Sequence, residues 1–229
     1  MFRSIIKNNA IFGSVQLANI LIQLIKGKLI AIILGASGYG LIAMYNGFLD
    51  LGVSATMLGT NTSAVSIMSR VRNKSLESQI RFSQLFFAAT TSIIFAFITN
   101  IYPEYLSRIV FGSIDYYYLI RLSGIVVVLR QMTSNFQAVL QARRDVRGLS
   151  NSNLLGLLLA SSSSVLVYFL YGIDALFYAV FFTHLLSCST YAFYALRNDY
   201  IRPSLRRYYI IVISLLKPGI YLFSGAVIQ

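Results

Sequence analysis

The chain is a succession of long apolar stretches separated by short polar ones. A bilayer core about 30 Å thick needs roughly 20 apolar residues of helix. Six stretches satisfy that length, at about 10–34, 40–64, 82–102, 117–140, 153–171 and 175–196. A seventh apolar start follows Lys217, Pro218 and Gly219 and stops at Gln229. It reaches only about 20 Å at about 1.5 Å per residue, too short to cross. The pattern predicts an all-α integral membrane protein. A six-helix transmembrane lobe is expected over 1–216 and the truncated start of a second lobe over 217–229. A truncated gene or a fragment would give such an interruption.

Composition removes the competing classes. Hydrophobic residues make up 57% of the 229 and charged ones only 11%. Soluble domains average about 45–50% and roughly 25%. With a mean hydropathy of +0.70, soluble globular and disordered chains are excluded. No cleavable signal peptide is expected: the first apolar stretch lacks an early small-x-small site and runs on past Gly35. Cys188 and His184 are the single representatives of their types, so neither a disulfide nor a Cys/His metal cluster can form. The seven acids are dispersed, which argues against a hard-metal cage. No cofactor is expected.

Charge adds orientation. Nineteen Lys and Arg against seven Asp and Glu give a net charge of +12. In a soluble chain that excess would suggest nucleic acid. In an apolar chain it suggests cytoplasmic loops, and no nucleic-acid partner is expected. The tail carries Arg3 and Lys7. The second loop carries Arg70, Arg72, Lys74 and Arg81, and the fourth Arg143, Arg144 and Arg147. The sixth carries Arg197, Arg202, Arg206, Arg207 and Lys217, whereas the odd-numbered loops together hold only Arg108. The positive-inside rule places the N-terminus and the even loops in the cytoplasm. Tryptophan is absent, so tyrosines such as Tyr39, Tyr102, Tyr105 and Tyr171 supply the aromatic belt. The segment from Arg202 to Tyr209 reads as a basic strip against anionic lipid headgroups.

Four bases remain inside spans: Lys26, Lys28, Arg121 and Arg130. A charge at a helix centre costs about 2.5–3.5 kcal/mol on insertion scales, so each marks a candidate site. In span one, Gln16, Asn19, Gln23 and Lys26 share a helical face. Lys28 lies about 160° away on an ideal helix. The two lysines either look into a cavity or snorkel to the headgroups. In span four, Ser123, Arg130, Ser134, Gln137 and Gln141 share a face, with Arg130 far from both ends. It either lines a cavity or pairs with Asp50, whereas Arg121 reads as an interface anchor. In span two, Asn46, Asp50 and Ser54 align, and Asp50 is the acid placed well inside a span. It can couple an ion, balance Lys26 or Arg130, or sit protonated and silent. In span six, His184, Ser187 and Tyr191 share a face, and His184 is either a hydrogen-bonded packing residue or part of the cavity. The Ser161–Ser164 run reads as close helix packing, and Cys188 as a small core residue. No catalytic constellation can be assembled, so no enzyme is expected.

One segment carries a family resemblance. Leu34-Gly35-Ala36-Ser37-Gly38-Tyr39-Gly40-Leu41, followed by Phe48-Leu49-Asp50-Leu51-Gly52-Val53-Ser54, resembles the N-terminal part of Wzx-type bacterial polysaccharide and O-antigen flippases. These belong to the superfamily of lipid II flippases and multidrug extruders. The resemblance implies two six-helix lobes around a central cationic cavity in the inner membrane. It implies movement of an undecaprenyl-diphosphate-linked oligosaccharide to the outer leaflet. Lys26, Lys28 and Arg130 would then meet the substrate. Gln16, Asn19, Gln23, Asn46, Ser134, Gln137 and His184 would line the cavity, and Asp50 would couple an ion or pair a charge.

The chain would supply one lobe, completed by a homodimer or by a C-terminal lobe. A lipid-linked diphosphate needs charge compensation, and its sugar needs exchangeable hydrogen bonds. Alternating access can then move the head group while the tail stays in the bilayer. The alternatives are an inactive remnant or noncatalytic membrane assembly subunit, and cation-coupled multidrug efflux. A membrane glycosyltransferase or polymerase is a further one, but it should bring a catalytic cluster in a large outer loop.

Overall fold

The computed structural model describes residues 2–71, 73–197 and 208–227, with side chains from 13 onward as far as 216, and Pro218. Helix accounts for 92% of it, and there is no strand among the described residues. The helices are α1 (Phe2–Met57), α2 (Thr60–Met68), α3 (Lys74–Ile101), α4 (Pro103–Phe111), α5 (Tyr117–Ala142), α6 (Val146–Tyr171), α7 (Leu176–Leu196) and α8 (Tyr208–Val227). A 3-10 turn, Gly172–Ala175, joins α6 to α7. Three stretches are long and apolar enough to cross a membrane: Gly13–Met57, Lys74–Ile101 and Val146–Leu196. The more polar α5, which carries Arg121, Arg130, Gln131 and Asn135, is not among them.

Two of these stretches turn back on themselves. Gly35 breaks α1 with φ 72° and ψ −178°, a conformation open to glycine and strained for other residues. A Cβ on Gly27 would lie 3.5 Å from the Tyr39 hydroxyl. Residues twelve apart in a straight helix are separated by about 18 Å, beyond a tyrosine's reach, so the limbs fold together. The turn also needs Gly38, where a Cβ would meet Leu34 Cβ at 2.8 Å. Gly172, at φ 66°, makes the second reversal, and α6 and α7 share the largest helix interface.

Glycines set the remaining close approaches. A Cβ on Gly124 of α5 would fall 2.4 Å from Ala96 Cβ of α3. One on Gly52 of α1 would meet the Phe95 ring of α3 at 2.6 Å, and one on Gly156 of α6 the Thr190 hydroxyl of α7 at 2.7 Å. Small residues at such points let helix backbones approach closely. The bundle is closed by α6 on α7, α3 on α5, and two pairs distant in the chain order, α5 on α7 and α1 on α6.

The connections sort to two ends. At one end Ile173 Cδ1 lies 3.6 Å from the Cβ position of Gly38, and the Phe111 ring of α4 packs at a tilt against Tyr45 and Tyr116. At the other end Arg143 pairs with Glu77 at 2.9 Å and donates to the Ala195 carbonyl at 3.4 Å. Lys74, Arg81, Arg143, Arg144, Arg147 and Arg197 gather at this second end, and Arg108 and Arg121 at the first. Arg72, Arg202, Arg206 and Arg207 lie outside the described residues, as do the side chains of Arg3, Lys7 and Lys217.

Several boundaries differ from the sequence expectation. The span expected over 40–64 ends at Met57, because Leu58 and Gly59 both take positive φ, and resumes as α2. The third span begins at Lys74 rather than about 82. Asn73 caps it by accepting from Ser75 N at 2.9 Å, which moves Arg81 from a loop into a buried helical position. The 103–116 connection contains α4, with Pro103 at its first turn. The helix expected to start after Lys217-Pro218-Gly219 starts at Tyr208 and runs through Pro218, so the expected 216/217 boundary falls inside α8.

Candidate functional site

The buried core is two apolar clusters with a charged layer between them. One cluster, toward the Gly35 end, includes Tyr45, Leu49, Val127 and Val180. The other, toward the Arg143 end, includes Phe136, Leu140, Cys188 and Tyr191. Arg130 on α5, Asp50 and Asn46 on α1, and His184 on α7 occupy the space between. Leu49 and Val127 point into the first cluster, which turns the adjacent polar positions onto the layer.

Arg130 holds this layer together. Its Nε donates to His184 Nε2 at 2.9 Å and its Nη2 to Asn46 Oδ1 at 2.7 Å. Its Nη1 pairs with Asp50 Oδ1. The Asn46 amide donates in turn to the Ile42 carbonyl at 3.0 Å, which fixes its oxygen toward the guanidinium. His184 accepts through Nε2, so this nitrogen carries no proton and the ring is neutral. The Arg130 side chain is 14% exposed and that of Asp50 is 72% exposed. The acid therefore sits at the open edge of the layer and the base at its centre. Two of the five guanidinium N–H groups remain beyond these three bonds.

The other expected site residues divide. Lys26 is half-buried and lines a groove between the first limb of α1 and α6. It lies within electrostatic range of His184, and no described residue gives it a hydrogen bond or a carboxylate partner. Lys28 is exposed on the opposite side of the limb. Gln16 and Gln23 are exposed, whereas Asn19 is buried and its Oδ1 has no partner among the described residues. Ser54 is exposed and makes no link to the layer. Arg121 donates from Nε to Asn100 Oδ1 at 3.2 Å, tying α5 to α3 near the Gly35 end.

Ser134 and Gln137 do not join Arg130. They line a separate depression of about 230 Å³ with Asn61, Thr62 and Gln141, toward the Arg143 end. Ser134 accepts from the Asn61 amide, whose Oδ1 accepts from Gln84 Nε2 at 2.6 Å. Gln131, fully buried, donates to the Thr56 hydroxyl. Thr56, Asn61, Gln84 and Gln131 were missed in the sequence, where polar uncharged residues in spans gave no signal beyond their presence. The expected face from Ser123 to Gln141 extends along several turns of α5, and different neighbours cover successive parts of it.

Chemically, the layer has hydrogen-bond donors, one acid at an open edge and an excess of positive charge once Lys26 is included. Among the described residues no group of His, Cys, Asp and Glu could hold a metal ion. Compared with protein-family models, curated proteins and solved structures, the chain finds no match.

Proposed function

We propose that this chain is a six-crossing lobe of a multi-pass transporter in the bacterial cytoplasmic membrane, with its N-terminus in the cytoplasm. Its cargo is an undecaprenyl-diphosphate-linked oligosaccharide, moved to the outer leaflet for O-antigen or exopolysaccharide synthesis. The observation that carries this reading is the charged layer of Asn46, Asp50, Arg130 and His184 between two apolar clusters. Ionisable side chains at membrane depth are costly and mark transport pathways. The basic end of the bundle supports the orientation. The Leu34–Leu41 and Phe48–Ser54 segments support the family. Cation-coupled drug efflux fits less well, because Asp50 is already balanced by Arg130.

The internal bonding of Arg130 favours one second reading, a noncatalytic membrane assembly subunit or an inactive remnant in which the layer only braces α1, α5 and α7. Complementation of a flippase-deficient strain separates the two. The transport reading expects surface polysaccharide with the unmutated chain and its loss with Lys26→Ala or Arg130→Ala at equal membrane insertion. Absent rescue by the inserted, unmutated chain supports the second reading. Full activity of both variants removes the cationic mechanism.

A further inference from the structure

Most acids of the bundle have partners. Asp50 pairs with Arg130 and Glu77 with Arg143. Asp115 accepts from the Ser113 hydroxyl at 2.7 Å, and Asp145 accepts from the Gly148 backbone N–H at 2.9 Å. Asp174, in the 3-10 turn between α6 and α7, is exposed, and no described residue hydrogen-bonds or ion-pairs with it. It stands at the head of a groove of about 530 Å³ along this helical hairpin. Val167 and Tyr171, one turn apart on α6, form one wall, and Tyr178 and Phe182, one turn apart on α7, form the other. Tyr171 and Tyr178 are 69% and 59% exposed, so the groove opens away from the bundle. It shares no residue with the charged layer or with the groove that holds Lys26.

Depth and charge narrow the occupant. At about 1.5 Å per residue, Val167 lies about 8 Å and Phe182 about 10 Å below the turn. Half of a bilayer core is about 15 Å. The lower walls therefore reach the hydrocarbon chains while Asp174 stays at the headgroups, and an occupant aligned with the helices spans both levels. A carboxylate at headgroup depth repels an anionic head, and a neutral head gains nothing from it. Tyrosine ring faces attract cations, so the aromatic walls and the carboxylate favour the same charge. The groove is of a size that holds a small amphiphile, room for an ammonium head and the upper part of an acyl chain.

We propose that the α6–α7 groove seats an ammonium-headed phospholipid. Its ammonium lies against Asp174 between Tyr171 and Tyr178, and one hydrocarbon chain runs along Val167 and Phe182. The seat is a lipid-recognition surface apart from the charged layer. The binding does not depend on the transport reading; only the leaflet that supplies the lipid rests on the proposed orientation, which puts this turn outside.

Photolabelling of the full chain in nonionic detergent tests it. The probes are phosphatidylethanolamine with a diazirine in one acyl chain and phosphatidylglycerol with the same chains. Peptide mapping should place at least threefold more adduct on residues 167–182 with the first probe than with the second. Asp174→Asn, which keeps the shape and removes the charge, should bring the two probes within twofold of each other by lowering the phosphatidylethanolamine adduct. Tyr178→Leu should lower that adduct as well. Asp115→Asn, an acid at the same end but off the groove, should leave it within twofold, and excess free ethanolamine should not displace the lipid. Thermal unfolding within 2 °C of the unmutated chain shows that each variant is folded. Equal labelling by the two probes, undiminished labelling of Asp174→Asn, or displacement by free ethanolamine overturns the seat. Labelling that depends on Asp174, in a chain whose Asp115 connection proves to be cytoplasmic, leaves the seat standing and removes only the proposed orientation.

Discussion

Arg130 is placed where removing it does more than delete a charge. Arg130→Ala takes a donor from Asn46 Oδ1 and from His184 Nε2, and leaves Asp50 unpaired. Removing this largely buried guanidinium, with two further acceptors orphaned, should cost about 2–4 kcal/mol. Asp50→Asn should cost clearly less, because its side chain is 72% exposed and an amide oxygen still accepts from the guanidinium. Thermal unfolding in detergent reads both, and equal losses would contradict the assignment of Arg130 as the centre of the layer. Arg130→Lys should not restore stability, since an ammonium cannot reproduce the fork that reaches three partners on α1 and α7. Part of this was legible in the sequence. With Asp50 the acid expected well inside a span, its pairing with Arg130 was among the readings on offer. The separate fates of Lys26 and Lys28 follow from their rotation on one helix. What could not be read was which faces meet. Ser134 shares a helical face with Arg130, yet α2 covers it rather than α7.

At the scale of helices, the bundle depends on a few glycines that face neighbouring backbones. Gly124→Ala should cost about 1–3 kcal/mol, because the new methyl meets Ala96 Cα at 2.8 Å as well as its Cβ, and backbone cannot rotate away. Gly156→Ala should cost less, since it meets the Thr190 hydroxyl, a side chain that can turn. Gly47→Ala, with nothing within 4 Å, should be neutral. Detergent unfolding of the three variants checks the ranking, and a Gly124→Ala protein as stable as Gly47→Ala would contradict the α3–α5 packing. The long segments were readable because apolar runs of membrane length have few alternatives. The break at Leu58–Gly59 was not, because a single glycine inside a long helical pattern reads equally well as helix interior. The start of α8 was misplaced because Pro218 reads as a boundary in a soluble helix, whereas helices in apolar surroundings tolerate proline.

For the whole molecule, charge distribution makes the orientation testable. Basic residues collect at the end that holds Arg143, Arg144 and Arg197, and Glu104, Asp115 and Asp174 lie in the connections of the other. In a Cys188→Ser background, a cysteine replacing Asp115 should react with an impermeant maleimide in intact cells. One replacing Arg144 should react only after permeabilisation. The reverse pattern would contradict the orientation. The buried position of Cys188 makes its replacement by a similar small residue tolerable. The proposed activity is carriage of a lipid-linked anionic sugar between leaflets, with Lys26 on the path. Its most direct measurement uses proteoliposomes containing a fluorescent undecaprenyl-diphosphate oligosaccharide and an externally added glycosidase. The unmutated chain should expose to cleavage the portion of substrate that starts in the inner leaflet, and Lys26→Ala should slow that exposure at least tenfold. Exposure no faster than in protein-free liposomes, or equally fast with Lys26→Ala, would contradict the account.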